Sequence, residues 1–559
     1  MKRSGLLLPT IVLVSFLGAY VLYPVAQLLL TSLSDGTQIS FQHYRALLDP
    51  SNRANLEAVV NSVGISLLSV VVSGLVGVFF AFIFTQVEFP SRAILSRLAV
   101  VPIALPPLVG VIAFLFVFGE SGILPRTFSS LTGIAPATIS LEGIPAIVAV
   151  HAFSFNVYFY LLTSAALRRI DGSMLEAAAV LGSLPWQTFR RVMLPQLRPA
   201  LLAASVLTFM GSMASFSAPF IFGGARRFLT VQIFTTKLNG DVDLAAAQSF
   251  LLMIVSMSFF VLLSLRTGRG EGAMATKGAN RPGRLPVGRS VKRIMVAILL
   301  ILLALEILPM VVILVVSCAR EGSWTWQILP GEYTLENYTT LFKDSSAFTP
   351  ILNSVEMSIL TVVGAIVIGF SGASLVARGG IRKGRVLADT VITLPYAIPG
   401  TVIALALITA FNSPTVPAGY QTLVGTFWIL PLAYIVRTYP LVHRSAASAL
   451  AQLDPSLIEA AGTLGAGPWR RWRTIVIPIV LPGVVSGALL VLIAALGEFV
   501  SSILLYTYNS RPISVEILAQ LRNFNFGAAA AYSVILLFLT LFLVSIAGWL
   551  TEKNSLPIN

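Results

Sequence analysis

DGSMLEAAAVLGSLPWQTFRRVMLPQLRP, residues 171–199, returns 283 residues later as DPSLIEAAGTLGAGPWRRWRTIVIPIVLP, residues 454–482. Both copies hold a Glu-Ala-Ala triplet, Glu176-Ala177-Ala178 and Glu459-Ala460-Ala461. After three intervening residues comes Gly182 or Gly465, and after nine more a β-branched residue, one further residue and an aliphatic-proline pair, Leu194-Pro195 or Ile477-Pro478. The first copy contains Asp171, Glu176, Arg190, Arg191 and Arg198, and the second Asp454, Glu459, Arg470, Arg471 and Arg473. So many charges exclude a bilayer span, and the module is expected at or beyond a membrane surface.

A membrane is called for by everything around it. Of the residues 56% are hydrophobic and 11% charged, with a mean hydropathy of +0.87, outside the range of soluble domains. Runs of about 20 apolar residues recur along the chain. Six spans are expected near 5–33, 59–87, 98–118, 144–166, 200–222 and 246–265. Six more are expected near 294–318, 351–377, 387–411, 425–442, 483–506 and 527–549. This predicts an all-α polytopic membrane protein in two units, residues 1–265 and 294–559. Between them residues 266–293 carry eight Lys or Arg against one Glu and read as a flexible basic linker.

With both termini, the linker and both modules on one side, most of the 37 Lys and Arg fall there, which makes that side cytoplasmic. The net charge of +14 is thus a topological signature with an attraction to anionic lipid, and not a sign of nucleic-acid binding. The apolar run after Met1-Lys2-Arg3 is too long for a signal peptide and lacks a small-x-small cleavage site, so a retained span is expected. The single cysteine, Cys318, leaves no intramolecular disulfide.

The repeat reaches beyond the module. Asn61-Ser62-Val63 matches Asn353-Ser354-Val355, Pro102 and Pro106 match Pro395 and Pro399, and Ser249 matches Ser533. An even number of spans per copy makes the repeats parallel, related by a pseudo-twofold axis along the membrane normal, with a path expected between them. Pro102, Pro106 and Pro107, like Pro395 and Pro399 with Gly400, interrupt helices at membrane depth. Two readings stay open for them, ordinary kinks for packing and markers of a translocation path.

Within the module, Asp171 and Asp454 are placed to cap a first helix that Gly182 and Gly465 end. Pro185 and Pro468 suit the first turn of a second helix, expected to stop at Pro195 or Pro478. Ala177-Ala178 and Ala460-Ala461 beside a carboxylate suit close approach to a partner; the other reading is a solvated loop helix. The same spacing in both copies argues for one shared task.

That spacing resembles the cytoplasmic signature of permease subunits of binding-protein-dependent type I ABC importers, and two fused permease units account for the whole chain. The resemblance implies that each module is a coupling helix docking on an ATP-binding subunit, with Glu176, Ala177, Ala178, Gly182, Leu194 and Pro195 in one dock. Glu459, Ala460, Ala461, Gly465, Ile477 and Pro478 form the other. No G-x-x-x-x-G-K-[ST] loop is present, so ATP and Mg belong to a separate ATPase, in two copies, and this chain has no catalytic residues and no cofactor of its own. A periplasmic binding protein is the other implied partner, and the bacterial inner membrane the location.

For the path and its gate, the resemblance points to Glu498 and Phe499 and to Ser215 and Phe216 at the matching place, and the matched proline breaks add Pro106 and Pro399 as candidates. Glu498 is read either as meeting a cationic substrate or shaping the gate, or as packed against a neighbouring span, protonated or paired. His151 and His443 read as packing residues, and three His with one Cys form no metal cluster. LPYAIPGTVIA and RPISVEILAQLRNFNFGAAAAYS look most like the ferric-iron group, with thiamine, polyamine and phosphonate permeases as relatives. An ion-gradient-driven secondary transporter is the alternative of another class, against which the doubled cytoplasmic module argues.

Overall fold

In hydrocarbon a backbone satisfies its N–H and C=O groups only within its own segment, so apolar runs become long helices. The computed structural model describes residues 7–34, 38–49, 53–267, 288–378 and 382–555. In the first copy the helices are α1 (Leu8–Ser32), α2 (Arg53–Gln86), α3 (Pro107–Thr132) and α4 (Gly143–Leu167). They are followed by α5 (Gly172–Val180), α6 (Trp186–Met213), α7 (Ser217–Phe222), α8 (Leu229–Leu238) and α9 (Val242–Thr267). The second copy has α10 (Arg289–Ser317), α11 (Ser345–Arg378), α12 (Leu387–Ala397), α13 (Gly400–Phe411) and α14 (Ile429–Ala451). It ends with α15 (Pro455–Thr463), α16 (Trp469–Leu496), α17 (Ser502–Leu505), α18 (Ile513–Arg522) and α19 (Phe526–Ser555).

The architecture is all-α and polytopic. Among the described residues ten single helices are long and apolar enough to cross a bilayer, and the pair α12–α13, bent by 94°, makes an eleventh. The span expected at 425–442 is α14, whose Arg437, His443 and Arg444 hold it below that standard. It tolerates them because it lies inside its bundle, packed on α11, α13 and α16. Its polar groups find protein partners: Tyr439 donates to the Ile392 carbonyl at 2.6 Å, and His443 meets Asp389 at 2.8 Å. Counting α14, the helices are compatible with twelve spans. The expected linker lies largely outside the described residues, and its ends are helical, since α9 runs to Thr267 and α10 begins at Arg289.

Two boundaries differ from expectation for one reason. The fifth and eleventh spans were expected from 200 and 483, after a proline stop, yet α6 and α16 run from Trp186 and Trp469 straight through Pro195 and Pro478. A π-turn over Phe189–Met193, and another over Trp472–Val476, absorbs each proline. The Leu194 N–H reaches the Phe189 carbonyl and the Ile477 N–H the Trp472 carbonyl, five residues back, so the helix widens just where Pro195 and Pro478 supply no N–H. At the far end both helices stop sooner than expected, at Met213 and Leu496, before the short α7 and α17.

Contacts divide the chain into two compact units that interleave the repeats: residues 1–47, 233–253 and 334–559 in one, and 48–232 and 254–333 in the other. In the first unit α1 packs on α11, and Tyr20 and Tyr23 meet Phe411 of α13 at 6.0 Å. In the second, Leu299 and Leu303 of α10 join Phe80, Phe84, Tyr160 and Leu167 in one apolar cluster. The opening helix of each copy therefore belongs to the core of the other.

Small residues let the central helices cross closely. A Cβ on Gly77 of α2 would lie 2.3 Å from the Asn156 carbonyl oxygen of α4, and one on Gly369 of α11 2.8 Å from the Tyr439 carbonyl oxygen of α14. Gly77 and Gly369 differ by 292 positions, and Asn156 and Tyr439 by 283, the offsets of the sequence repeat in those helices. Both copies make the same crossing.

Candidate functional site

Each module is a helix, a glycine turn and the foot of a spanning helix. Asp171 accepts the Ser173 N–H at 3.0 Å and Asp454 the Ser456 N–H at 2.9 Å, so both carboxylates cap as expected. That bond holds the Asp454 carboxyl below the usual carboxylate value. Gly182 and Gly465 adopt φ of 76° and 78°, where a side chain would be strained. Around them Gly182 N–H bonds the Ala179 carbonyl and Ser183 N–H the Ala178 carbonyl, both at 3.0 Å. Gly465 and Ala466 repeat the pattern on Gly462 and Ala461 at 3.1 and 2.9 Å, a paired C-cap that ends each helix sharply.

The helix has two faces. Leu175 is buried in the cluster of Phe80, Tyr160 and Met193 and Ala178 is buried too, while Glu176, Ala177, Val180, Leu181 and Trp186 are exposed. Ala178 thus packs inward, one turn from Leu175, and only Ala177 of the alanine pair faces out. In the second module Ala461 is half-buried, Ile458 packs on the core, and Glu459, Ala460, Leu464 and Trp469 are exposed. Among the described residues neither Glu176 nor Glu459 has a hydrogen-bond or ion-pair partner. Leu194 and Ile477 are half-buried and Pro195 and Pro478 exposed at the π-turns. Phe189 packs edge-on against Phe82 of α2, and Trp472 against Phe370 of α11, fixing each module to the foot of its bundle.

At the other end of α6 and α16 lie the breaks that hold the expected path residues. Ser215 and Phe216 occupy the first, and Glu498 and Phe499 the second; Phe216 and Phe499 are fully buried. Pro106 and Pro399, both buried, precede α3 and α13 with matching ψ of 134° and 143°. Glu498 is paired. One carboxylate oxygen accepts from Arg437 of α14 and the other from the Ser501 N–H at 2.9 Å. In the first copy the break is bonded to His151 instead: its Nε2 meets the Ser215 hydroxyl at 2.9 Å, and its Nδ1 the hydroxyls of Ser69 and Ser212 at 2.9 and 3.0 Å. His151 is a satisfied packing residue linked to the break. Arg437 was not expected as a site residue; an arginine in the middle of an apolar span was its signal.

Glu306 of α10, another buried acid, accepts from the Asn156 amide at 2.8 Å. This bond ties α10 to α4.

The chain matches the model of the binding-protein-dependent transport system inner membrane component twice, over residues 73–267 and 365–555. It belongs to that family. A probable ABC transporter permease protein, y4fN, of Sinorhizobium fredii is 29% identical over 82% of this chain and 81% of its own. The ferric transport system permease protein FbpB of Actinobacillus pleuropneumoniae is 24% identical over 99% of this chain and 79% of its own. A putative 2-aminoethylphosphonate transport system permease protein, PhnV, of Salmonella choleraesuis is 27% identical over 48% of this chain and 98% of its own. The chain is thus an ABC importer permease, a multi-pass inner-membrane transport subunit of a binding-protein-dependent system made of two fused units.

The Asn-Ser-Val motif of this permease also acquires a task. Asn61 donates to the Arg227 carbonyl at 3.0 Å, and the Ser62 hydroxyl accepts the Leu229 N–H at 2.8 Å. In the second copy Asn353 donates to the Asn509 and Arg511 carbonyls, each at 3.0 Å, and Ser354 accepts the Ile513 N–H at 2.8 Å. The start of α2 or α11 thereby latches the loop that follows each break. Sequence displayed the motif but not its partner, more than 150 residues away.

Proposed function

We propose that this permease passes ferric iron from a periplasmic binding protein to the cytoplasm by alternating access, driven by two copies of an ATPase that bind ATP and Mg. The observation that carries this reading is the pair of modules, each capped by Asp171 or Asp454 and turned at Gly182 or Gly465. Each presents an exposed, unpaired Glu176 or Glu459 among exposed apolar residues. Two such docks fit a two-copy motor on the cytoplasmic side, where the linker and both termini also lie in this reading. The ferric relative supports the choice of substrate, because its similarity runs through 99% of this chain, both units included.

Force has a continuous route. Trp186–Met213 is one helix of 28 residues, about 42 Å long at 1.5 Å per residue, with the dock at one end and the Ser215-Phe216 break at the other. Trp469–Leu496 is its equal in the second unit and ends at Glu498-Phe499. A tilt imposed on the foot of each spanning helix, beyond the Gly182 or Gly465 turn, is carried to each break along one continuous helix.

The test is the double substitution Glu176→Ala and Glu459→Ala in the assembled transporter. Iron uptake and stimulation of ATP hydrolysis by the loaded binding protein are expected to collapse while the permease still inserts. Wild-type uptake in that variant would refute the coupling role.

A further inference from the structure

The Glu498–Arg437 pair is unequal in what it leaves unused. Both oxygens of the Glu498 carboxylate are taken, one by Arg437 and one by the Ser501 N–H, and 9% of its side chain is exposed. A guanidinium carries five N–H donors. Among the described residues Glu498 is the one group that Arg437 bonds, and 26% of the arginine side chain stays open. A cation arriving here would have to break an ion pair and a backbone hydrogen bond to reach the carboxylate. An anion finds donors already free.

The surroundings favour negative charge as well. Arg437 lies against the start of α13, where a Cβ on Gly400 would be 2.8 Å from its Nη1 and 3.2 Å from the Ser501 hydroxyl. Glycine at this position is what lets the guanidinium reach the break between α12 and α13. A helix start carries partial positive charge. Beside it the Thr401 hydroxyl is fully buried with no partner among the described residues. The break of the ninth span, the break of the eleventh and the arginine of α14 therefore meet at one place, and Glu498 is the resident anion there.

We infer that Arg437 takes an oxyanion group of the passing substrate, so that the cargo is anionic at this point. The group is a carboxylate, phosphate or phosphonate, either free or in the ligand shell of a ferric ion. This deepens the importer reading and rests on it. A planar guanidinium holds such groups through two parallel N–H bonds, and Glu498 occupies it between passages. In the first copy Ser215 and His151 stand at the equivalent place without this charge pair.

The experiment uses the whole transporter with its ATPase and binding protein, and follows uptake of ferric citrate, inorganic phosphate, 2-aminoethylphosphonate and spermidine. Arg437→Gln should lower uptake of the oxyanion cargo at least tenfold, and Arg437→Lys should keep part of it. Because Arg437→Gln strands a buried carboxylate, the decisive variant is Arg437→Gln with Glu498→Gln, which removes both charges and leaves neutral amides. That double variant should insert like the wild type, keep ATP hydrolysis stimulated by the loaded binding protein, and still transport at least tenfold less. Wild-type transport by the double variant would mean that the pair is only packing and would overturn the inference. So would uptake of spermidine with none of the three oxyanions. Loss of coupling in the Glu176 and Glu459 variant, measured alongside, keeps the importer reading under separate judgment.

Discussion

Three glycines test the helix crossing, two on the same helix with opposite expected signs. An alanine at Gly77 would place its Cβ 2.3 Å from the Asn156 carbonyl oxygen, 2.6 Å from Phe159 Cβ and 2.9 Å from the Tyr160 nitrogen. None of these atoms can turn away by changing rotamer. Restoring an ordinary 3.4 Å contact requires α2 and α4 to part by about 1 Å, loosening the packing on either side. Overpacking typically costs about 1–3 kcal/mol, and three immovable neighbours put Gly77→Ala at the upper end, about 3 kcal/mol or over a hundredfold in the opening equilibrium. Gly369→Ala makes the same crossing at 2.8 Å and should cost less, about 2 kcal/mol. Gly64, also on α2, has nothing within 4 Å of a new Cβ, so Gly64→Ala should stabilise by about 0.5–1 kcal/mol through helix propensity. Thermal unfolding of the purified chain in mild detergent, read as the monodisperse fraction remaining, should rank Gly64→Ala above wild type, then Gly369→Ala, then Gly77→Ala. If Gly77→Ala melts with Gly64→Ala, the crossing is not that close and the argument fails.

Two further outcomes follow from local hydrogen bonds. Asn353→Ala removes two bonds from a buried amide and should cost about 1–3 kcal/mol, while Asn61→Ala, at a half-buried site, should cost about 0.5–1.5 kcal/mol. Limited proteolysis should then cut residues 506–513 faster in Asn353→Ala than residues 224–229 in Asn61→Ala, and a loop as resistant as wild type in Asn353→Ala would dismiss the latch. The Asp454 carboxyl is held below its ordinary value by the Ser456 N–H, so its ionised form is the one the folded helix favours. Its contribution is complete above that ordinary value and is lost as pH falls through the lowered one. Hydrogen exchange at Ser456–Leu457 should be flat from about pH 7 to 5 once corrected for intrinsic rates, and rise below about pH 4. Asp454→Asn should abolish that rise.

Features set by a residue's own chemistry are legible in the sequence itself. Gly182 and Gly465 announce a left-handed turn because only glycine takes φ near 76° to 78° freely, and Asp171 and Asp454 announce caps because a short carboxylate reaches the N–H two residues on. The prolines are half legible. That Pro195 and Pro478 disturb the helix follows from their missing N–H, but a bond to the residue five back keeps the helix whole, and nothing in one chain's pattern separates that repair from a stop. The exchange of α1 and α10 between cores is hidden for another reason. Helices apolar on every side carry no stripe that says which neighbour they face. Arg437 escapes a reading of the sequence because its partner is Glu498, 61 residues away, and only the folded chain brings the two together.

Comparing the copies position by position separates what packing fixes from what passage requires. At the offset of 283, His151 corresponds to Tyr434 and Ser215 to Glu498. In both copies the helix before the module is bonded to the break beyond it: His151 to Ser215 in one, Tyr434 to Ser502 at 2.6 Å and Arg437 to Glu498 in the other. The mechanical link is thus kept with different chemistry, just as the crossings at Gly77 and Gly369 and the two capped modules are kept. If the link were all that mattered, the neutral bridge of the first copy would serve in both, since burying an ion pair costs desolvation that a hydroxyl and a neutral imidazole avoid. A charge pair with spare donors in one copy alone is better explained by what it meets than by what it holds together.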